Sequence, residues 1–413
     1  MPLHHLIIAE DIKRINALGF RTWLITELTI AFREARKNKL GTFNEHQYEV
    51  NWQENIVQLA DSILQRTYEP SGSVSFIIFD PMVREIFAAP FRDRVVHHFL
   101  YRMQAEWWDR RFIYDSYSCR EGKGTLFGIE RVQKMMKQAS NDFTKDAYVL
   151  KNDIKGYFMS LPRKKLYLRI KWGLDKQFAM FKTDRAGYEL YMTCLFLWHQ
   201  VIMDDPAPKS YRRGNASDWE SLPPEKSLYN RDAGQGIVIG NLTSQLASNI
   251  YLDQLDRYIK YDLGYEYYGR YVDDFVRIVP AEQYEKALRD NKKIEAFMRD
   301  NLELTLHSKK VYVQPVDKGV NFIGCRIYPH TLYPSNRLQQ KLDQAVRKFV
   351  ETKGANMATL LSYLGLMQHL NAHKFIKKVF ARYGLDYSLY LTLRKYDNAT
   401  VEAILRAILE DRI

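Results

Sequence analysis

The aspartates Asp153, Asp273 and Asp274 are the residues of this 413-residue chain whose types and settings point to chemistry. Asp273 and Asp274 lie in YYGRYVDDFVRIV, residues 267–279, an otherwise apolar, aromatic and β-branched run. Carboxylates are costly to bury there unless cations or hydrogen bonds compensate them. An exposed turn would also have to place Tyr271, Val272, Phe275 and Val276 in water. Asp153 falls in AYVLKNDIKGYFMSL, at or just before the end of an expected strand. If the two strands are neighbours in one sheet, their carboxylates can converge on two divalent cations about 4 Å apart. Mg²⁺ suits carboxylate, water and phosphate oxygens, with Mn²⁺ the alternative ion. A second pair, Asp204–Asp205, precedes Pro206 and Pro208 and reads as a solvated loop.

These acids need positioning elements. Residues 1–70 read as helical, with Ile56, Leu59, Ile63 and Leu64 on one face and Pro70 just beyond. The run SVSFIIFDPMVREIFAAPF, broken by Pro81 and Pro90, predicts a strand pair, and a helix is expected from about Arg92. YSCREGKGTLFGIERVQKMM joins a Gly-rich basic loop to a helix. Residues 206–236, rich in Pro, Gly, Ser and charge, read as a long surface insertion that is either functional or mobile. LTSQLASNIYLDQLDRYI predicts a helix with Leu246, Ile250, Leu252 and Leu255 on one apolar face. The Asp273–Asp274 stretch predicts two strands around a tight turn, and AEQYEKALRDNKKIEAFMRDNLE returns to helix. VYVQPV and VNFIGCRIYP predict strands. From about Asn336 the pattern is helical throughout, with Leu338, Leu342, Val346 and Phe349 sharing a stripe and later helices in TLLSYLGLMQHL and TVEAILRAILED.

The totals set limits. A prior of roughly 150 residues per domain gives two to four lobes. The composition is that of a globular protein, and the net charge of +12 fits a polyanionic partner or simply a basic protein. Cys119, Cys194 and Cys325 are few, odd in number and widely spaced, which matches neither a disulfide framework nor a zinc cluster and suits a reducing cytoplasm. No uncharged stretch approaches the ~20 residues that span a bilayer, so neither secretion nor membrane insertion is expected.

The motifs carry a resemblance. YVDDF resembles the catalytic hairpin of reverse transcriptases, and NDIKGYF the motif that bears their first metal-binding aspartate. The resemblance implies an α+β right-hand polymerase: a helical extension at 1–70, fingers at 71–150, a palm at 151–334 with its insertion at about 206–236, and a helical thumb at 335–413. It implies RNA-directed DNA synthesis with Asp153, Asp273 and Asp274 as ligands of two Mg²⁺ ions, one activating the attacking 3′-hydroxyl and the other stabilising the leaving pyrophosphate. Phe158, five positions after Asp153, matches the steric gate that rejects a ribose 2′-hydroxyl; read alone it would be core packing. VREIFAAPFRDRVVHHFL is similar to the fingers segment in which Arg84 contacts the triphosphate, a task that suits a guanidinium. SCREGKGTLFGIERV is similar to the next motif, with Arg120 and Lys123 approaching template or nucleotide. GIVIGNLTSQLASNIYLDQLD is similar to the nucleotide- and template-positioning motif, which gives roles to Ile239, Gly240 and Gln245. In LELTLHSKKVYV, Lys310 best fits the lysine beside the departing pyrophosphate, with Lys309 as competitor. GVNFIGCRIYP resembles the hairpin that supports the primer 3′ end. The motifs run in order over about residues 75–330.

Most of that family carries glutamine before the glycine of the positioning motif and proline after its serine. Here Ile239 precedes Gly240 and Gln245 follows Ser244. The variant IGNLTSQ resembles bacterial and phage diversity-generating retroelement reverse transcriptases and related antiviral-defence lineages. Loss of the amide removes two donors and an acceptor beside the nascent pair, which implies error-prone copying opposite template adenine; a compensated packing change with ordinary fidelity is the other reading. The resemblance implies an RNA template, a DNA or RNA primer and deoxynucleotides. It also implies a structured noncoding RNA and an accessory protein, in a bacterial or phage-encoded cytoplasmic setting. Diversification and antiphage defence stay open as roles, with a nonenzymatic RNA-binding scaffold as the rival from another class. The chain's end at Ile413 leaves no expected ribonuclease H or endonuclease domain.

Overall fold

The computed structural model describes residues 3–37, 43–79, 82–307, 311–352, 354 and 356–393. Lys309, Lys310, Pro81 and the helix expected at 400–411 lie outside them. The described strands are β1 (Val74–Ile78), β2 (Arg84–Ala88), β3 (Ala147–Asp153), β4 (Tyr211–Arg212), β5 (Tyr267–Tyr271), β6 (Asp274–Pro280), β7 (Tyr312–Pro315), β8 (Val320–Phe322), β9 (Cys325–Ile327) and β10 (Leu332–Pro334). No helix among the described residues is long and apolar enough to cross a membrane.

The chain divides into two compact units that interleave along the sequence. One comprises Met1–Arg120, Asp153–Gly264 and Asn291–Ser308. It is mainly helical, opening with Leu3–Leu18, Phe20–Arg36, Phe43–Val50 and Trp52–Leu64. Ile56, Leu59 and Ile63 are buried as their spacing predicts, and Leu64 is half-buried. β1 pairs antiparallel with β2 and parallel with β4, in the order β2-β1-β4.

The helix Leu242–Arg257 corrects the expectation of a single apolar face. Besides Leu246, Ile250, Leu252 and Leu255, it buries Ser244, Ser248, Asn249, Asp253 and Asp256. Buried polar groups of this kind must be hydrogen-bonded. The Asn249 amide donates to the Ser118 carbonyl at 2.9 Å, and Asp253 accepts from Arg169 at 2.8 Å and Arg257 at 3.0 Å. Partners from distant segments, with Arg257 from the same helix, turn an apparently polar face into interior.

Residues 206–236 are an ordered excursion docked on β1 and β2. Glu85 of β2 is buried and accepts from the Ser227 hydroxyl at 2.7 Å and the Leu228 amide at 2.6 Å. The Arg212 guanidinium lies 3.7 Å from the Tyr229 ring centroid and 4.9 Å from that of Trp219. The Asp204–Asp205 pair is also less solvated than expected. Asp204 is only 12% exposed and binds Lys209 at 2.8 Å, while Asp205 caps the short helix Pro206–Lys209.

The second unit comprises Glu121–Asn152, Tyr265–Asp290 and Lys309–Ile413. It contains a four-stranded sheet in the order β5-β6-β3-β7 and a three-stranded sheet in the order β10-β9-β8. The helix Asn336–Glu351 follows, its Ser335 hydroxyl accepting from the Leu338 amide, and it buries Leu338, Leu342, Val346 and Phe349 as the periodicity predicts. Further helices span Met357–Met367, His373–Arg382 and Tyr387–Leu393.

Candidate active site

The candidate site is built on the hairpin β5–β6. Tyr271 pairs with Asp274, so Val272 and Asp273 alone form the turn. Two-residue hairpin turns require positive φ, which ordinarily selects Gly, Asn or Asp. Here the residue concerned is Val272, with φ 54°. A β-branched side chain in that region is strained, and such strain concentrates at functional sites. The fully buried Arg270 guanidinium donates to the Val272 carbonyl at 2.9 Å and holds the turn from beneath.

Asp273 and Asp274 are half-buried at this tip. The Lys151 ammonium of β3 stands 3.0 Å from Asp274, with the two side chains 21% and 27% exposed. The Ala281 amide donates to the Asp146 carbonyl at 3.0 Å near the other end of β3, so β6 and β3 run in opposite directions. Behind the tip, Arg277 of β6 is fully buried and donates to the Asn152 side-chain carbonyl at 3.3 Å. Burial lowers the Arg277 pKa, and its guanidinium faces the Tyr265 ring at 5.0 Å. Tyr265, pushed up to about 12 by burial, donates to Asp290 at 2.9 Å, and Lys286 binds the same carboxylate at 3.1 Å. Sequence reasoning passed over Lys151, Arg270 and Arg277. The signal was present, since charged residues that alternate within otherwise apolar strands have to find partners.

Asp153 closes β3 and belongs to the first unit; it is half-buried, and its carbonyl accepts from the His307 amide at 2.8 Å. The chain then turns through Gly156 at φ 56°, a conformation that glycine adopts without strain. Phe158 follows in the helical turn Tyr157–Ser160, half-buried, its carbonyl accepting from the Ile237 amide at 2.9 Å. Ile239 packs with Val238 and Tyr229 against the buried Phe87, Met159 and Leu228. Gly240 has φ 117° and is exposed. Gln245 is half-buried in the first turns of Leu242–Arg257, where Thr243 hydrogen-bonds the buried His97 at 2.9 Å. Arg84 opens β2 and is exposed.

The Arg120 guanidinium is folded into its own loop. Its side chain is 6% exposed, and it donates to the Asp109 carboxylate and to the Asp109, Ile113 and Ser116 carbonyls. Lys123, in the second unit, stands between Gly122 and Gly124, both at positive φ, with its ammonium 5.6 Å from the Phe127 ring centroid.

Among the described residues no three His, Cys, Asp or Glu side chains form a group arranged to hold a metal ion. The donor chemistry nonetheless suits a hard cation. Mg²⁺ characteristically binds through one or two carboxylates plus waters and substrate phosphates, and rarely through a complete protein cage.

No protein-family model and no curated protein matches the chain. Among solved structures, it is similar to telomerase from Candida albicans in complex with a TWJ fragment of telomeric RNA. The TM-score is 0.44 and the identity 12%, over 84% of this chain and 64% of that one. It is also similar to telomerase from Candida tropicalis with the same kind of RNA fragment, at a TM-score of 0.41 and 12% identity, over 83% and 64% of the two chains. The chain thus spans 64% of the length of each of these two proteins.

Proposed function

We propose that the chain is an RNA-directed DNA polymerase. The observation that carries this reading is the strained β5–β6 turn presenting Asp273 and Asp274, with β6 next to β3, the strand that closes at Asp153. Mg²⁺ held by Asp153, Asp273 and Asp274 would supply charge stabilisation at the attacking and leaving oxygens of nucleotidyl transfer. The protein's own part is to orient: Arg270 fixes the turn, Lys151 balances Asp274, and exposed Arg84 is available to phosphate oxygens. Phe158 is proposed as the sugar gate and Gly240 and Gln245 as nucleotide- and template-side positions. Lys123 takes the template-side role, because the Arg120 donors are bonded within the fold. Lys310 remains the proposed proton donor to pyrophosphate.

The finer proposal is an error-prone polymerase of the diversity-generating type. It is supported by Ile239, an apolar residue seated in an apolar cluster where the resemblance expects an amide. Antiphage defence with a noncoding RNA or protein partner uses the same enzymology. A primed RNA template with Mg²⁺ and four deoxynucleotides tests the central claim. Extension by the parent and none by an Asp273→Ala, Asp274→Ala protein is expected; a parent inert even with its native RNA and partner present sinks the claim.

A further inference from the structure

Within the second unit, no turn sets the register of β6 against β3. β5 and β6 are fixed to each other by the tight turn at Val272 and Asp273, whereas β3 comes from far earlier in the sequence. The strands share apolar side chains, Tyr148, Val149 and Leu150 of β3 and Phe275, Val276, Ile278 and Val279 of β6. Such strands tolerate a slip by two residues, since every side chain keeps its face. A slip of that size would carry Asp274 about 7 Å along β3.

Two polar pairs select one register, and they lie on opposite faces of the sheet. On one face Lys151 meets Asp274 at 3.0 Å, partly exposed and open to competition from any cation. On the other the Arg277 guanidinium donates to the Asn152 side-chain carbonyl at 3.3 Å, and both residues are fully buried. Alternation along each strand requires this division, because Lys151 and Asn152 are consecutive and Arg277 is the third residue after Asp274. Arg277 is itself braced. It donates to the Ala287 carbonyl at 3.5 Å and faces the Tyr265 ring at 5.0 Å, while Tyr265 donates to Asp290 at 2.9 Å and Lys286 binds that carboxylate at 3.1 Å. Asn152 immediately precedes Asp153, so one buried hydrogen bond ties the end of β3 to the strand that carries the acidic tip.

A buried guanidinium is a poor choice for stability alone. An apolar side chain of similar volume often serves as well or better, and the best-attested return on a buried charged group is registry. We infer that Arg277 is a positioning residue: through Asn152 it locks β6 against β3 in the register that brings Asp274 to Lys151, and so fixes where the carboxylates stand. The catalytic consequence rests on the polymerase reading, whereas the lock itself is measurable without polymerisation.

The experiment compares the full chain with two variants. In the double variant Arg277→Met, Asn152→Leu, both partners become apolar and neither is left buried without the other, which keeps the fold testable. Asn152→Asp keeps an accepting oxygen for Arg277. Each is followed by thermal melting, by hydrogen exchange of residues 148–152 and 275–279, and by single-nucleotide incorporation on a primed RNA template with Mg²⁺. The double variant should melt within a few degrees of the parent, yet exchange those amides about tenfold faster. Its maximal incorporation rate should fall about 100-fold, the effect of a misplacement near 1 Å. The nucleotide concentration at half-maximal rate should stay within about threefold of the parent's, because the loss lies in the transition state and not in binding. Asn152→Asp should hold both exchange and rate within about threefold of the parent. A folded double variant with unchanged exchange would overturn the lock. Faster exchange with an unchanged rate would overturn the positioning role, as would a rate loss that Asn152→Asp shares in full. Faster exchange in the double variant of a chain whose parent extends no primer would remove the polymerase reading alone and leave the lock standing.

Discussion

Lys151 and Asp274 meet at 3.0 Å across neighbouring strands, an ammonium of β3 set against the second acid of the β5–β6 tip. Both side chains are about a quarter exposed, and pairs of that kind contribute about 0–1 kcal/mol to stability. The pair's weight lies in function, because any divalent ion recruited to Asp274 competes with a cation already there. Lys151→Met should therefore lower the Mg²⁺ concentration needed for half-saturation by about two- to fivefold, the equivalent of that energy. Calorimetric Mg²⁺ titration reads this independently of activity, and the melting temperature should move by only a few degrees. An unchanged or weakened Mg²⁺ affinity would remove the competitive role of Lys151.

Val272 is the second test of the tip. Its φ of 54° costs a β-branched residue about 1–2 kcal/mol relative to an ordinary conformation. Val272→Gly relieves that strain and gives up about 0.5–1 kcal/mol through the freer unfolded chain. The expected balance is a denaturation midpoint equal to or slightly above the parent's. Single-nucleotide incorporation should fall about tenfold as the carboxylates lose their fixed aim. A variant that is both less stable and fully active would show that the turn is neither strained nor positional.

Ile239 joins fold to fidelity. Its packing against Phe87, Met159 and Leu228 predicts that Ile239→Gln, which brings an amide into an apolar cluster, costs about 1–3 kcal/mol. Ile239→Val should cost about 0.5–1.5 kcal/mol. The fidelity proposal adds a second expectation: only the Gln variant reduces misincorporation opposite template adenine. Sequencing the products of both variants checks it, and equal error spectra would leave Ile239 as a packing residue.

Local periodicity made most elements legible. The Leu338, Leu342, Val346 and Phe349 stripe, the β1–β2 pair and the β5–β6 hairpin all follow from spacing and turn signals. The features that escaped depend on particular hydrogen-bond partners, near or remote in sequence, that spacing alone does not announce. Asn249 and Asp253 look solvent-facing until Ser118, Arg169 and Arg257 arrive to bond them. Arg120 looks available to a template until the Asp109, Ile113 and Ser116 carbonyls claim its donors. Asp273 and Asp274 stood out because their flanks were wrong for water and Asp153 because it falls at a strand end, whereas Lys151 did not, since a lysine in a strand is ordinary.

Glu85 tests the docking of residues 206–236. It is the buried acceptor for both the Ser227 hydroxyl and the Leu228 amide, and burial raises its pKa. Glu85→Ala leaves those two donors unsatisfied at about 1–3 kcal/mol. The excursion should then loosen locally while the helical core stays folded. Limited proteolysis should cut the variant within 221–236 many times faster than the parent; equal cutting would mean that other contacts hold the segment.

His97 sets a pH dependence of stability. Its pKa is lowered from the ordinary 6.5 to about 3, chiefly by complete burial and further by the nearby His98 and Arg94, and it stays neutral while bonded to Thr243 at 2.9 Å. In the unfolded chain the same imidazole takes up a proton near pH 6.5. Between these two values the unfolded state binds more protons than the folded one, so stability rises with pH in that window and falls on acidification. Above pH 6.5 both states are neutral and the contribution is flat. His97→Asn keeps an amide partner for the Thr243 hydroxyl and removes the titration. Its denaturation midpoint should be lower at pH 7.5, where the imidazole packs best, and should decline less steeply than the parent's from pH 6.5 to 4.5. Parallel slopes for the two proteins would mean that acid sensitivity arises from the carboxylates alone.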